Sequence, residues 1–354
     1  MSQARAVVVG TGLIGGSFGA ALRAQGWIVH GVDIDETSLT RAVAMGAIDH
    51  RGWPDDADFT VVATPALSIA DAVKDALART SGPVTDVGSV KAEITDAIVD
   101  PRFIGGHPMA GSEQEGVEGA RADLFHGATW VLTPRADAHD TAFATVRSVI
   151  TSLGAEVVTL DPAQHDRLVA MVSHVPHLTA VTLMRLADER SDQHRVLLRL
   201  AAGGFRDMTR IASGHPGIWP DICAANSDAI VEVLGDLVAA LEEMRAVVAT
   251  NDAERLLDIL QAAQRARVNL PTTAPADVEL SVVRVPVFDR PGEIARITRL
   301  ATDIDVNIYD LEIAHSVEGL GGVLVLVVES RLAERLLGAL MAHEYRPSIR
   351  SLPR

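Results

Sequence analysis

The feature that most restricts this fold lies in the first 35 residues. A short apolar run at 6–9 leads into Gly10-Thr11-Gly12-Leu13-Ile14-Gly15, and a helical pattern follows through Gln25. The first glycine permits a tight turn, the second lets a pyrophosphate approach the backbone, and the third lets the helix pack close to the strand. An anion held there meets the unpaired N–H groups at the positive end of the helix. Glycine turns alone are common, but this one follows a strand, opens a helix and precedes Asp33 at the end of the second apolar run. The combination predicts a dinucleotide site made by Gly10, Gly12, Leu13, Ile14, Gly15 and Asp33. Asp33 can accept both ribose hydroxyls of NAD, whereas the extra phosphate of NADP would meet Asp33, Asp35 and Glu36 with no basic residue before Arg41. Electrostatics therefore favours NAD. The alternative for Asp33 is a turn or helix-capping residue.

Further apolar runs at 27–32, 59–63, 83–87, 103–104, 130–132 and 156–160 alternate with helical stretches. Runs with so little polar alternation suit strands covered on both faces, so residues 1–160 read as an α/β domain with a Rossmann-type, doubly wound parallel sheet. After 161 the strand signals stop, and 166–186, 192–200, 219–248 and 253–268 read as helices of an all-α domain over 161–270. In the third helix Ile230, Leu234, Leu237, Leu241, Met244 and Val248 form a near-heptad seam. Such a seam packs within the chain or builds a homodimer. Leu270 to Ala276 has the prolines and small residues of a linker. Beyond it, 278–286, 291–302, 307–314, 322–329, 331–343 and 346–352 give the order βαββαβ, a small α+β module over 278–354.

A chain of 354 residues with 48% hydrophobic and 22% charged residues is an ordinary globule of two or three domains. Its formal net charge of -16 argues against nucleic acid or an anionic membrane surface as partner. An anionic substrate would need local arginines to overcome that field. One cysteine, Cys223, allows no intrachain disulfide and no cysteine-based metal cluster. The N-terminus lacks the longer apolar region of a signal peptide, and the aliphatic run at 323–328 is far too short to span a membrane. A cytoplasmic location is expected.

Open α/β sheets bind ligands at the carboxyl ends of their strands. There stand Asp86-Val87-Gly88-Ser89-Val90-Lys91 and Gly105-Gly106-His107-Pro108-Met109-Ala110-Gly111-Ser112-Glu113. Pro108 holds His107 extended, and the flanking glycines leave room for a ligand. His107 is placed to act as a base, although a lone histidine is as readily a packing residue. With Gly10 to Gly16, Ser173-His174-Val175-Pro176-His177 and Gly204-Phe205-Arg206-Asp207-Met208-Thr209-Arg210-Ile211-Ala212, these segments resemble the prephenate and arogenate dehydrogenase family. The likeness covers about three quarters of the chain. The tail, with Asp289-Arg290-Pro291-Gly292 after its first strand, looks like an ACT domain.

The resemblance implies NAD-dependent oxidative decarboxylation of prephenate to 4-hydroxyphenylpyruvate, in tyrosine biosynthesis, by a homodimer. By resemblance His107 accepts the hydroxyl hydrogen, which suits imidazole because it titrates near pH 6.5. Ser89 would bridge His107 and the nicotinamide amide. Arg210 would grip the ring carboxylate and His177 the pyruvyl side chain; Ser112, Glu113 and Trp219 would line or gate the pocket. His174 and His177 as metal ligands are the weaker reading, since no further Cys, His or carboxylate cluster completes a site; no metal is expected. Pro176 should kink its helix. Tyrosine is the effector implied for the module, with Asp289, Arg290, Pro291, Gly292, Asn307 and Ile308 as its site; Pro291 would open the helix there. The alternatives are arogenate dehydrogenase, another Rossmann-plus-helical dehydrogenase of the 3-hydroxyacid type, and a non-catalytic amino-acid sensor.

Overall fold

The computed structural model describes residues 3–111, 114, 116–191, 197–268, 278–288, 290–315 and 321–351. Two compact units emerge, Met1–Thr182 with Ile211–Leu237, and Leu183–Arg210 with Val238–Arg354.

In the first unit the apolar runs become β1 (Arg5–Val9), β2 (Ile28–Val32), β3 (His50–Arg51), β4 (Phe59–Val62), β5 (Val84–Asp86), β6 (Phe103–Pro108), β7 (Thr129–Thr133) and β8 (Glu156–Thr159). They form one sheet in the order β3-β2-β1-β4-β5-β6-β7-β8. Helices α1 (Leu13–Ala24), α2 (Glu36–Ala44), α3 (Ile69–Arg79), α4 (Ala92–Ala97) and α5 (Asp140–Ser152) alternate with the strands. β1 explains the unbroken apolar run: Ala6 and Val8 join one core, with Phe18, Phe59 and Trp130, while Val7 and Val9 join another with Val62, Ile69 and Val73. Each fully buried valine removes apolar surface worth about 1.5–3 kcal/mol, so neither face tolerates a polar substitution.

The sheet is not parallel throughout. β6 pairs with β7 antiparallel, and β8 then runs parallel to β7, so the last two strands oppose the first six. The β6–β7 connection brings no crossover α-helix among its described residues; a parallel return usually requires one. Apolar periodicity carries no sign of strand direction. The two-residue β3 lies at the sheet edge with both residues exposed, and no hydrophobic pattern announces it.

The helices that follow are α6 (Pro162–Val169), α7 (Val175–Ser191), α8 (Gly203–Thr209), α9 (Trp219–Ala225), α10 (Ser227–Ala249) and α11 (Ala253–Val268). The first begins four residues before the expected start at 166. Asp161 caps the Ala163 and Gln164 N–H groups, and Pro162 occupies the first turn, where its missing N–H costs nothing. Ala170–His174 is a π turn in which the Val175 N–H reaches the Ala170 carbonyl. It lies just before Pro176, where an α-helix must accommodate a missing donor and a clash with the preceding turn. Where a kink is expected, the helix carries this wider turn. The long helix expected over 219–248 is broken at Asn226, whose side chain turns inward. Ile230 of the seam is buried and Leu234 and Leu237 pack beside it, against Ala170 and Val175.

In the second unit β9 (Leu280–Phe288), α12 (Glu293–Asp303), β10 (Ile308–His315), β11 (Gly321–Glu329), α13 (Ser330–Ala342) and β12 (Ser348–Ser351) realise the βαββαβ order. The antiparallel sheet runs β10-β11-β9-β12, the arrangement of a ferredoxin-like, ACT-type module. Val283, Val285, Leu324 and Leu326 meet Ile297, Leu336 and Leu340 in its core. The expected linker at 270–276 lies outside the described residues.

Candidate active site

The glycine turn has the geometry its spacing predicts. Gly10 takes φ +90°, and a Cβ there would stand 2.4 Å from the Ala63 carbonyl oxygen. A Cβ on Gly15 would fall 1.9 Å from the Gly10 carbonyl oxygen, so the helix packs as closely as a glycine allows. At Gly12, which N-caps α1 with no side-chain cap, an added Cβ would meet nothing within 4 Å. Free backbone and open space fit a pyrophosphate. Leu13 and Ile14 begin α1. Asp33 Oδ2 accepts the Thr11 N–H at 2.7 Å and the Thr11 hydroxyl at 3.0 Å, which aims its carboxylate beside the turn. Asp35 caps the helix, and its own N–H donates to Asp33 Oδ1 at 3.0 Å, so Asp33 also holds the turn between β2 and α2. Arg41, the first basic residue beyond the acidic stretch, pairs with Glu118 at 2.8 Å, and Arg51 of β3 lies 3.7 Å from Glu36. Asp33→Ala is expected to raise the KM for NAD on the order of tenfold, through loss of charge-assisted hydrogen bonds, and to narrow the preference over NADP. Equal use of both cofactors by the unsubstituted enzyme would contradict the assignment.

His107 lies near the end of β6, opposite Val131 of β7. β1 and β6 run parallel, so the glycine turn and His107 share the carboxyl edge of the sheet, three strand spacings or roughly 14 Å apart. The Gly106 N–H donates to Asp86 Oδ1 at 3.0 Å, and Gly88 donates to Asp86 Oδ2 at 2.9 Å. Asp86 also pairs with the Lys91 ammonium, and both side chains are fully buried. Burial pushes the Lys91 pKa down while Asp86 pulls it up. Those extra hydrogen bonds help the buried pair repay its desolvation.

Behind His107 stands a chain of polar groups. His107 Nδ1 is 2.9 Å from His165 Nε2, and His165 Nδ1 is 2.7 Å from Asp166 Oδ1. Asp166 accepts the N–H groups of Lys91 and Ala92, each at 2.8 Å. Asn226 donates to the Asp166 carbonyl at 2.9 Å and to His174 Nδ1 at 3.2 Å. His174 meets Trp219 edge-on, and Trp219 lies flat on His177 with ring centroids 3.6 Å apart. Contacts thus run without interruption from His107 to His177.

Burial first, then repulsion from the positive charge that His165, Lys91 and His174 carry when protonated, pushes the His107 pKa well below its usual 6.5. His174 is pushed down to about 4, chiefly by burial, opposed by Asp166 and assisted by His165. Burial lowers His177 as well. All three imidazoles are therefore neutral at pH 7.

Ser89 is half-buried on the loop between β5 and α4. The inner nitrogen of His107 is engaged by His165 rather than by Ser89. Arg210 is exposed at the start of the 3-10 turn Arg210–Ser213, which follows α8. Ser112 and Glu113 lie outside the described residues, as does Asp289. Around the last, Gly292 adopts φ +86° as the residue before α12, so Pro291 stands ahead of the cap rather than opening the helix. Arg290 lies over the Phe288 ring at 5.1 Å, Asn307 is exposed, and Ile308 starts β10. Among the described residues no group of three or more His, Cys, Asp or Glu is arranged to hold a metal.

His165, Asp166 and Asn226 belong to no motif that the sequence displays. The Asp161-Pro162 pair is the available signal, since a helix that starts there places His165 and Asp166 together within its first two turns, whereas a start at 166 leaves His165 outside it.

Two family models match the chain: "Prephenate dehydrogenase, nucleotide-binding domain" over residues 18–159 and "Prephenate dehydrogenase, dimerization domain" over residues 161–262. The prephenate dehydrogenase of Bacillus subtilis is 31% identical over 343 residues, 92% of each chain. The chain belongs to the prephenate dehydrogenase family. Similarity over so much of the Bacillus protein extends past residue 262 into the C-terminal module. Among solved structures, Aquifex aeolicus prephenate dehydrogenase in complex with hydroxyphenyl propionate and NAD+ is 30% identical with a TM-score of 0.72, covering 77% of this chain and 99% of its own. Synechocystis arogenate dehydrogenase is also 30% identical, with a TM-score of 0.67, covering 74% and 98%. Membership of this family sets aside the 3-hydroxyacid dehydrogenase alternative.

Proposed function

We propose that this prephenate dehydrogenase family member converts prephenate to 4-hydroxyphenylpyruvate and carbon dioxide with NAD, with His107 as the proton acceptor. The observation that carries the residue assignment is a buried, neutral imidazole at the carboxyl edge of the nucleotide-binding sheet. When bound, NAD takes the hydride from C4 of the substrate. Gly10, Gly12, Leu13, Ile14 and Gly15 hold its pyrophosphate and Asp33 its ribose. Ser89 orients the nicotinamide amide. His177, kept neutral by burial and held flat by Trp219, donates a hydrogen bond to the pyruvyl group. Arg210 clamps the ring carboxylate through its planar fork, supplying the local cation that a chain of net charge -16 needs.

The dimerisation-domain match and an apolar surface support a homodimer. Leu241 and Val248 of the seam are 57% and 58% exposed, and Leu257 and Leu260 of α11 are 54% and 55% exposed. Side chains of this kind at helical spacing are usually covered.

The deciding assay follows NADH absorbance with purified protein, NAD and either prephenate or arogenate, with and without tyrosine. Turnover of prephenate at least tenfold more efficient than that of arogenate is expected. The reverse order would make the chain an arogenate dehydrogenase. Tyrosine is expected to inhibit through the module, and deletion of residues 278–354 should abolish inhibition while sparing turnover. A truncated, active enzyme that tyrosine still inhibits would place the inhibitor in the substrate pocket.

A further inference from the structure

We propose that His165 and Asp166 are the positioning pair that fixes which nitrogen of His107 faces the substrate and shares the proton His107 takes from it. This rests on the reading of His107 as the acceptor.

With His165 as a neutral imidazole, the hydrogen-bond chain has a single polarity. Both Asp166 oxygens accept backbone N–H groups, so the carboxylate acts as an acceptor throughout. His165 Nδ1 must then carry the hydrogen it gives to Asp166 at 2.7 Å. In a neutral imidazole that leaves His165 Nε2 as a lone pair. The lone pair lies 2.9 Å from His107 Nδ1, which must therefore be the protonated nitrogen of His107. His107 Nε2 is left as the free base. Without this anchorage either tautomer of His107 is available, and one of them has no lone pair at Nε2.

The stoichiometry of the reaction gives the pair its second role. The substrate O–H bond breaks toward His107 Nε2 while the C4–H pair leaves as hydride. The C1–carboxylate bond then gives its electrons to the ring as carbon dioxide departs, and the C4 oxygen, now a phenolate, takes the proton back from Nε2. No proton is gained or lost overall. A site suited to this chemistry holds one proton briefly instead of draining it to water. His165 is fully buried and Asp166 is 5% exposed. Protonated His107 can share its Nδ1 hydrogen with His165, whose charge then rests against the Asp166 carboxylate, so the cost of an imidazolium in this buried place falls.

The test compares His165→Leu with His165→Gln in the full-length protein. Leucine offers no acceptor and is expected to lower kcat by about a hundredfold, with the KM for prephenate and the affinity for NAD within twofold. Glutamine can accept the His107 Nδ1 hydrogen through Oε1 and is expected to recover at least tenfold over leucine. A leucine variant within threefold of the unsubstituted enzyme, or a glutamine variant no better than leucine, overturns the proposal. Adding His165→Leu to His107→Asn should cost no more than twofold further, because both act on one group. A large additional loss overturns it. If His107→Asn alone keeps its turnover, the reading of His107 fails and the pair's role falls with it. Independently of any variant that misfolds, histidine labelled with nitrogen-15 in the intact enzyme should show His107 protonated at Nδ1 and bare at Nε2 near pH 7.5. The opposite tautomer overturns the proposal.

Discussion

Replacement of His107 by Asn is expected to lower kcat by about two to four orders of magnitude, with affinity for NAD and prephenate changed only a few-fold. Asparagine keeps a polar side chain at the end of β6 but cannot take up a proton near neutral pH, so the loss falls on the chemical step. Stopped-flow measurement of NADH formation, beside equilibrium binding, separates the two. A variant retaining more than half its turnover would remove His107 from the mechanism. The pH dependence carries a sign. The active form is the neutral imidazole, and burial with nearby cationic charge pushes its pKa well below 6.5. Activity should therefore stay level as pH falls from 8 through 6.5 and decline only below that, along a limb of slope one. A limb centred at pH 7 or above would show that the acceptor is not this histidine.

The second large effect is expected at Arg210. Its replacement by Ala would remove the proposed charge-assisted fork, which is made to the ground state and the transition state alike. The loss should appear in the KM for prephenate, on the order of 2 to 4 kcal/mol or roughly 30- to 900-fold, with a smaller change in kcat. Arg210→Lys should recover little, because an ammonium cannot present two parallel donors to a carboxylate. Unchanged KM in the alanine variant would exclude Arg210 as the clamp.

The nucleotide half of the site was legible because its signals are local. Gly10, Gly12, Gly15 and Asp33 lie within 24 positions, and Gly10 and Gly15 stand where a Cβ would collide with backbone. His107 was legible for a related reason, standing between glycines and a proline at a strand end. His165, Asp166 and Asn226 were not. They come from a helix start and a helix break, and nothing in the sequence ties them to a strand 58 positions before His165. The chain reversal that turns β7 and β8 against the rest of the sheet was equally silent, since an apolar strand reads the same in both directions. The heptad seam is legible in the sequence, but its division is not: Ile230, Leu234 and Leu237 belong to a core, whereas Leu241 and Val248 are exposed.

The π turn at Ala170–His174 changes which residues share a side of the helix that runs from Pro162 to Ser191. At about 100° per residue, an unbroken α-helix would set His165 and His177 about 120° apart, projecting in different directions. One wider turn withholds about one residue's arc from everything downstream, and the angle shrinks to about 20°. A helical wheel drawn from the sequence is therefore out of phase beyond residue 174. The single rod thereby turns His165, which lies against His107, and His177, which lies against Trp219, toward one side.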